Sequence, residues 1–133
     1  MTFPEAIKNN FSKYLTFSGR APRSEFWWWV LFTLIANIVL GGIDIYLFGT
    51  TVVDAGSFTA YTNFSPLAGI FSLVVLLPSI SVAVRRLHDT DRSGWWWWLG
   101  LIPLVGIIIL IVWWATTGTR GPNRYGADPL GLA

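Results

Sequence analysis

Residues 26–48 read FWWWVLFTLIANIVLGGIDIYLF, an apolar run with a single charged side chain, Asp44. About 20 residues of helix match the ~30 Å hydrocarbon core of a bilayer, so this run reads as a membrane span. Two further stretches carry no Asp, Glu, Lys or Arg at all, residues 55–84 and residues 93–119. They place a second span at 67–84 and a third at 95–115. Hydrophobic residues make up 53% of the 133 and charged residues 12%, about half the charged share of a soluble domain. A soluble fold of this length could not hide that much apolar surface. The expected fold class is an all-α membrane protein, a three-span helical bundle forming one membrane domain over residues 1–133.

Outside the first span, Thr2 and Glu5 have the spacing of a capping box, in which hydroxyl and carboxylate satisfy free N–H groups at a helix start. Phe3, Ile7, Phe11, Tyr14 and Leu15 then share one helical face, so 3–15 reads as a short amphipathic helix in the membrane interface. Packing of that helix on the rest of the protein is the alternative. Residues 1–25 lack the apolar core of a secretory signal, so the first span is expected to stay in the mature protein. The 49–66 segment, rich in Gly, Ser and Thr, reads as a loop, and 116–133 as an irregular tail.

Orientation follows from the cations that flank the spans. Lys8, Lys13, Arg20 and Arg23 precede the first, Arg85, Arg86 and Arg92 lie between the second and third, and only Arg120 and Arg124 follow. A cytosolic N-terminus puts seven of these charges inside and two outside. Tryptophan prefers the headgroup level. The nine tryptophans cluster at the expected edges, Trp27–Trp29 and Trp95–Trp98 inside, Trp113 and Trp114 outside. Pro103 and Gly106 leave open a re-entrant third segment, which would return the tail to the cytosol.

Chemistry in a membrane is expected where charge is costly. Asp44 falls near the outer end of the first span, where a hydrated carboxylate is unremarkable, and Asn37 near its middle, where it needs a hydrogen-bond partner. The cytosolic face is richer. Arg20, Arg23 and Glu25 precede the first span, and Arg85, Arg86, His88, Asp89 and Arg92 follow the second. Short connections bring these groups together, and the planar guanidinium fork suits a phosphate-bearing lipid headgroup. The plain alternative is a topology signal with Arg–Asp pairs tying the loop. His88 and Asp89 are neighbours on a helix and no Ser or Cys nucleophile accompanies them, so no catalytic residue is assigned. A single His and no Cys give no metal site, and no cofactor is expected. The aromatics are committed to the bilayer edge, which argues against nucleic acid as a partner.

The runs FSGRAPRSEFWWWVLF, RRLHDTDRSGWWWWLGLIPLVG and GTRGPNRYGADP, together covering most of the chain's polar landmarks, resemble the bacterial inner-membrane family known as domain of unknown function 805. The resemblance implies a bacterial inner-membrane protein of about three spans and implies no reaction. It marks the same Arg20, Arg23, Glu25, Arg85, Arg86, His88, Asp89 and Arg92, together with Asn123 in the tail. The expected role is an accessory or lipid-associated protein, a homo-oligomer or bound to a membrane partner, with the marked residues meeting an anionic headgroup. A minimal oligomeric channel using Asn37 and Asp44, and a membrane enzyme using His88 and Asp89, are the competing readings.

Overall fold

The computed structural model describes residues 1–130, so the last three residues of the expected 116–133 tail lie outside the described residues. The chain is mostly helical: α1 (Phe3–Ser12), α2 (Arg23–Phe48), a hairpin of β1 (Thr50–Asp54) and β2 (Ser57–Tyr61), α3 (Pro66–Asp89), a 3₁₀ segment (Gly94–Leu101) and α4 (Val105–Ala115). It divides into two compact units, one of residues 31–76 and one of residues 1–30 with the described chain from 77 onward.

Two helices, Arg23–Phe48 and Pro66–Asp89, are long and apolar enough to cross a bilayer. At ~1.5 Å per residue the 26 residues of α2 extend for about 39 Å, longer than the hydrocarbon core.

In the 31–76 unit the carboxylate of Asp44 on α2 caps the start of α3. Its Oδ1 accepts from Leu67 N at 3.1 Å and its Oδ2 from Ala68 N at 2.9 Å. Two of the orphan amides at a helix start are thereby satisfied by an anion at the positive end of the dipole. The expectation of a hydrated carboxylate is corrected: Asp44 is 0% exposed. Asn37 donates to Thr33 O at 2.9 Å and accepts from Ser72 Oγ at 3.4 Å, the interhelical partner it needed. Asp44→Ala removes a cap worth ~1 kcal/mol or more. We expect a thermal midpoint several degrees lower in detergent, with Asp44→Asn retaining part of the difference.

The 49–66 loop and the all-α class are corrected by the hairpin, in which Thr50 pairs with Tyr61 and Asp54 with Ser57 around Ala55 and Gly56. Its strands read TTVVD and SFTAY, rich in β-branched and aromatic residues. Such side chains favour a pleated backbone over a loop.

In the other unit the expected capping box is present: Glu5 N donates to Thr2 Oγ1 at 3.4 Å and Thr2 N to Glu5 Oε2 at 3.2 Å. The helix ends at Ser12 rather than residue 15, and it packs on the protein through buried Ala6 and Asn10. Phe3 meets Trp28 and Phe11 meets Trp29 edge to face.

Residues 95–115 do not form one continuous span. The 3₁₀ segment ends at Leu101, and the chain reverses in a γ-turn in which Val105 N donates to Pro103 O at 2.7 Å and Leu104 takes φ 63°, ψ −64°. Gly106 lies against the Leu99 carbonyl so closely that any Cβ would overlap it. The 11 residues of α4 measure about 16 Å, half a hydrocarbon core. The excursion closes on itself, with Trp96 and Trp113 in an edge-to-face pair at 5.7 Å.

The same contacts set Trp113 and Trp114 beside Trp96 and Phe26, whereas the sequence reading expects them at the opposite membrane edge. All nine tryptophans fall in this one unit, and Trp114 meets Phe26 at 5.0 Å. Trp29 is no headgroup anchor: it is 2% exposed and its Nε1 donates to Ser79 Oγ at 3.0 Å.

Candidate functional site

Helix α3 ends where its sequence turns polar. Arg92 N donates to Leu87 O and Asp91 N to His88 O, both at 2.9 Å, with Asp91 at φ 60°. This is a Schellman ending, and Asp is among the few side-chain-bearing residues that adopt the left-handed position. The turn leaves Arg85, Arg86, His88 and Asp89 on the last helical residues, facing the start of α2 and the tail.

Asp89 is the hub. Its Oδ1 accepts from Arg20 Nε at 2.9 Å and its Oδ2 from Arg86 Nη1 at 2.5 Å. Its backbone carbonyl accepts from Thr119 N at 2.7 Å. Arg20 also donates from Nη1 to Gly121 O at 2.7 Å and from Nη2 to Thr119 O. Arg86 donates from Nε to Trp114 O at 2.9 Å and from Nη2 to Thr116 O. Gly118 approaches so near the Asp89 carboxylate that a Cβ there would overlap it.

A second pair lies beside the hub. Glu25 Oε1 accepts from Arg85 Nη1 and from Asn9 Nδ2, both at 2.7 Å, and Arg85 Nη2 donates to Asn10 Oδ1 at 3.2 Å. Arg85 Nε is buried and unpartnered among the described residues. Buried charges persist only when paired and hydrogen-bonded, and this cluster is nearly saturated internally. Three buried guanidiniums, Arg20, Arg85 and Arg86, face two buried carboxylates, Glu25 and Asp89. This buried cluster, with the residues at its rim the polar cap of the protein, therefore holds one more guanidinium than carboxylate in its interior.

His88 is held on both sides. Its Nδ1 lies 3.0 Å from Gly19 O; a carbonyl only accepts, so Nδ1 carries the proton. Its ring stacks on Tyr125 at 3.9 Å, and Asn123 Nδ2 donates to its carbonyl at 2.9 Å. Asp89 is engaged by the arginines rather than by His88.

The expected site residues thus come together, in different roles. Arg20, Glu25, Arg85, Arg86 and Asp89 are interior, whereas Arg23 and Arg92 reach the rim. Arg23 is exposed and donates to Ala115 O at 3.2 Å. The Arg92 guanidinium lies 4.4 Å over the Trp113 ring. Arg124, exposed, pairs with Asp91 at 3.1 Å, and that hydrogen bond and charge raise the guanidinium pKa above its ordinary value.

Sequence reasoning missed Arg120, Thr117 and Thr119. With Arg23, Asp89 and Asp128 they line a polar cavity of about 260 Å³, so two carboxylates share it with the two arginines. The signal that could have found them was the tail's Arg-rich GTRGPNR run, set aside when the tail was placed on the opposite side.

A family described as "Protein of unknown function (DUF805)" matches residues 14–127. Inner membrane protein YhaH of Escherichia coli K12 is 42% identical over 116 residues, 87% of this chain and 88% of its own length. Inner membrane protein YhaI of the same strain is 40% identical over 87% of each chain. The uncharacterized protein YiiR is 30% identical over 85% of each. No solved structure matches the chain.

Proposed function

The chain belongs to the DUF805 family of proteins of unknown function, and we propose that it is a lipid-associated integral protein of the bacterial inner membrane that binds a phosphate-bearing headgroup at its polar cap. α2 and α3 cross the bilayer in this reading. Residues 94–115 dip into it and return, and the N-terminus, the cap and the tail share the cytosolic side. The contacts of Thr116, Thr119 and Gly121 with Arg86, Asp89 and Arg20 support the return.

The observation that carries the headgroup reading is the extra guanidinium inside the cap beside a cavity rimmed by Arg23 and Arg120. Neither arginine forms an ion pair with a carboxylate among the described residues. Arg20, Arg85 and Arg86 supply the positive field and hold the scaffold. Arg23 and Arg120, with the hydroxyls of Thr117 and Thr119, meet the phosphate, because a guanidinium fork and hydroxyl donors match its oxygens. Arg92 flanks the site. In this reading Glu25, His88 and Asp89 position the arginines and touch no ligand.

Native mass spectrometry of the protein released from detergent micelles tests this reading. Wild type is expected to retain phosphatidylglycerol, and Arg23→Ala/Arg120→Ala to lose it at least tenfold. Arg124→Ala, which removes a cation already paired with Asp91, is expected to behave as wild type. Equal retention in all three proteins would reduce the arginines to topology signals. The pore reading gains no supporting observation, since Asn37 and Asp44 are both spent on helix–helix bonds.

A further inference from the structure

We propose that a second, apolar cavity between α3 and the 3₁₀ segment is the seat of one acyl chain of a bilayer phospholipid. Ile80, Val84 and His88 line one wall, spaced as i, i+4 and i+8 on a single face of α3. Trp95, Trp97 and Trp98 form the opposite wall and Phe17 borders it. Gly94 fixes the separation of the walls, since a Cβ built on it would stand 2.6 Å from Val84 Cγ1. The groove between the walls is open on one side and measures about 630 Å³, within the size range of small-molecule sites.

Its lining is mostly hydrocarbon and aromatic carbon, the polar groups being His88, Ser93 and the indole N–H donors of Trp95, Trp97 and Trp98. His88 spends Nδ1 on Gly19 O, and Ser93 Oγ accepts from Trp95 N at 3.3 Å as the cap of the 3₁₀ segment. A hydrocarbon chain asks for no polar partners.

The occupant follows from what lies within reach. Trp95 is 78% exposed and Trp98 52%, open to the headgroup level that indole prefers. α3 is itself long and apolar enough to cross the bilayer. Arg92 directly precedes Ser93 and forms no ion pair with a carboxylate among the described residues, so it complements a lipid phosphate at the same edge. The site shares no residue with the Arg23–Arg120 cavity and stands whether or not that cavity binds a headgroup.

The test uses the full chain in detergent micelles, titrated with phosphatidylglycerol carrying dibrominated stearoyl chains. Bromine quenches indole fluorescence on contact. Wild type is expected to show a saturable quench complete near one lipid per protein. Ile80→Phe and Val84→Phe, which fill the cavity, are expected to weaken the binding at least fivefold, and Ile80→Val to preserve it. A quench that rises without saturation, or an unchanged quench in the filled variants with native circular dichroism, would overturn the proposal. Should both filled variants fail to fold, Arg23→Ala/Arg120→Ala decides: a saturable quench kept in that variant supports the chain site, and its loss overturns it. Equal quenching by brominated phosphatidylcholine supports the chain site and speaks against headgroup selection. A quench lost in Arg23→Ala/Arg120→Ala but kept in Ile80→Phe would overturn the chain site and leave the headgroup site standing.

Discussion

Asp89→Asn is expected to cost this protein a large share of its stability. The substitution keeps the shape of the side chain and removes the only carboxylate within ion-pair distance of Arg20 and Arg86 among the described residues. Both guanidiniums are buried with it. Removing one partner of a buried ion pair costs ~3–5 kcal/mol, because the remaining charge is left uncompensated, against a typical total of ~5–15 kcal/mol. In thermal unfolding followed by circular dichroism the midpoint should fall by on the order of 10 °C, or the protein should fail to survive extraction. Asp91→Asn is the matched control. Asp91 also pairs with an arginine, but the side chains of that pair are 65% and 42% exposed. Exposed pairs are screened by solvent and contribute little, so its midpoint should stay within about two degrees of wild type. Equal effects at the two positions would deny Asp89 its place as hub.

Glu25→Gln is the second large effect. Glu25 is the shared acceptor of Arg85 on α3 and Asn9 on α1, and it lies at the start of α2. The amide keeps an acceptor oxygen but leaves the fully buried Arg85 without its counter-charge, a loss of about 3 kcal/mol. The double variant Glu25→Leu/Arg85→Met discriminates the cause. Apolar replacement of a whole buried pair is often close to neutral, so the double variant should unfold nearer to wild type than either single change. A double variant as damaged as the sum of its singles would mean that the two residues act independently.

Part of this architecture was open to reading and part was not, for physical reasons. The α1 capping box and the two long apolar helices depend on local spacing, which a sequence displays directly. The gathering of Arg20, Glu25, Arg85, Arg86 and Asp89 followed from the shortness of the connections. Their burial did not, since an arginine in a protein interior and one at a membrane surface are spelled alike. The reversal at Pro103 and Leu104 escaped because hydropathy sums composition and is blind to direction. A 21-residue apolar run folded double scores like a straight one. A straight run carries the tail and Trp113–Trp114 away from the Arg86 and Asp89 contacts that the structure gives that segment. The same tail holds Arg120, so one misread turn also hid half of the candidate headgroup site. Asp44 was read from its depth along one helix, whereas its role lies in the first amides of the next. The hairpin was legible in TTVVD and SFTAY, but Gly, Ser and Thr in the same stretch were weighed as loop chemistry.

In the proposed topology residues 94–115 leave and rejoin the polar cluster around Asp89, which puts the tail on the same side as the N-terminus. The chain has no cysteine, so single cysteines at Lys8, Ser57 and Ala127 report sidedness without background. Each is offered to a membrane-impermeant maleimide on intact spheroplasts and again after permeabilisation. The proposed topology predicts that the residue 57 position labels on intact spheroplasts, while positions 8 and 127 label only after permeabilisation. Labelling of position 127 together with position 57 on intact spheroplasts would contradict the re-entrant path and restore a third crossing.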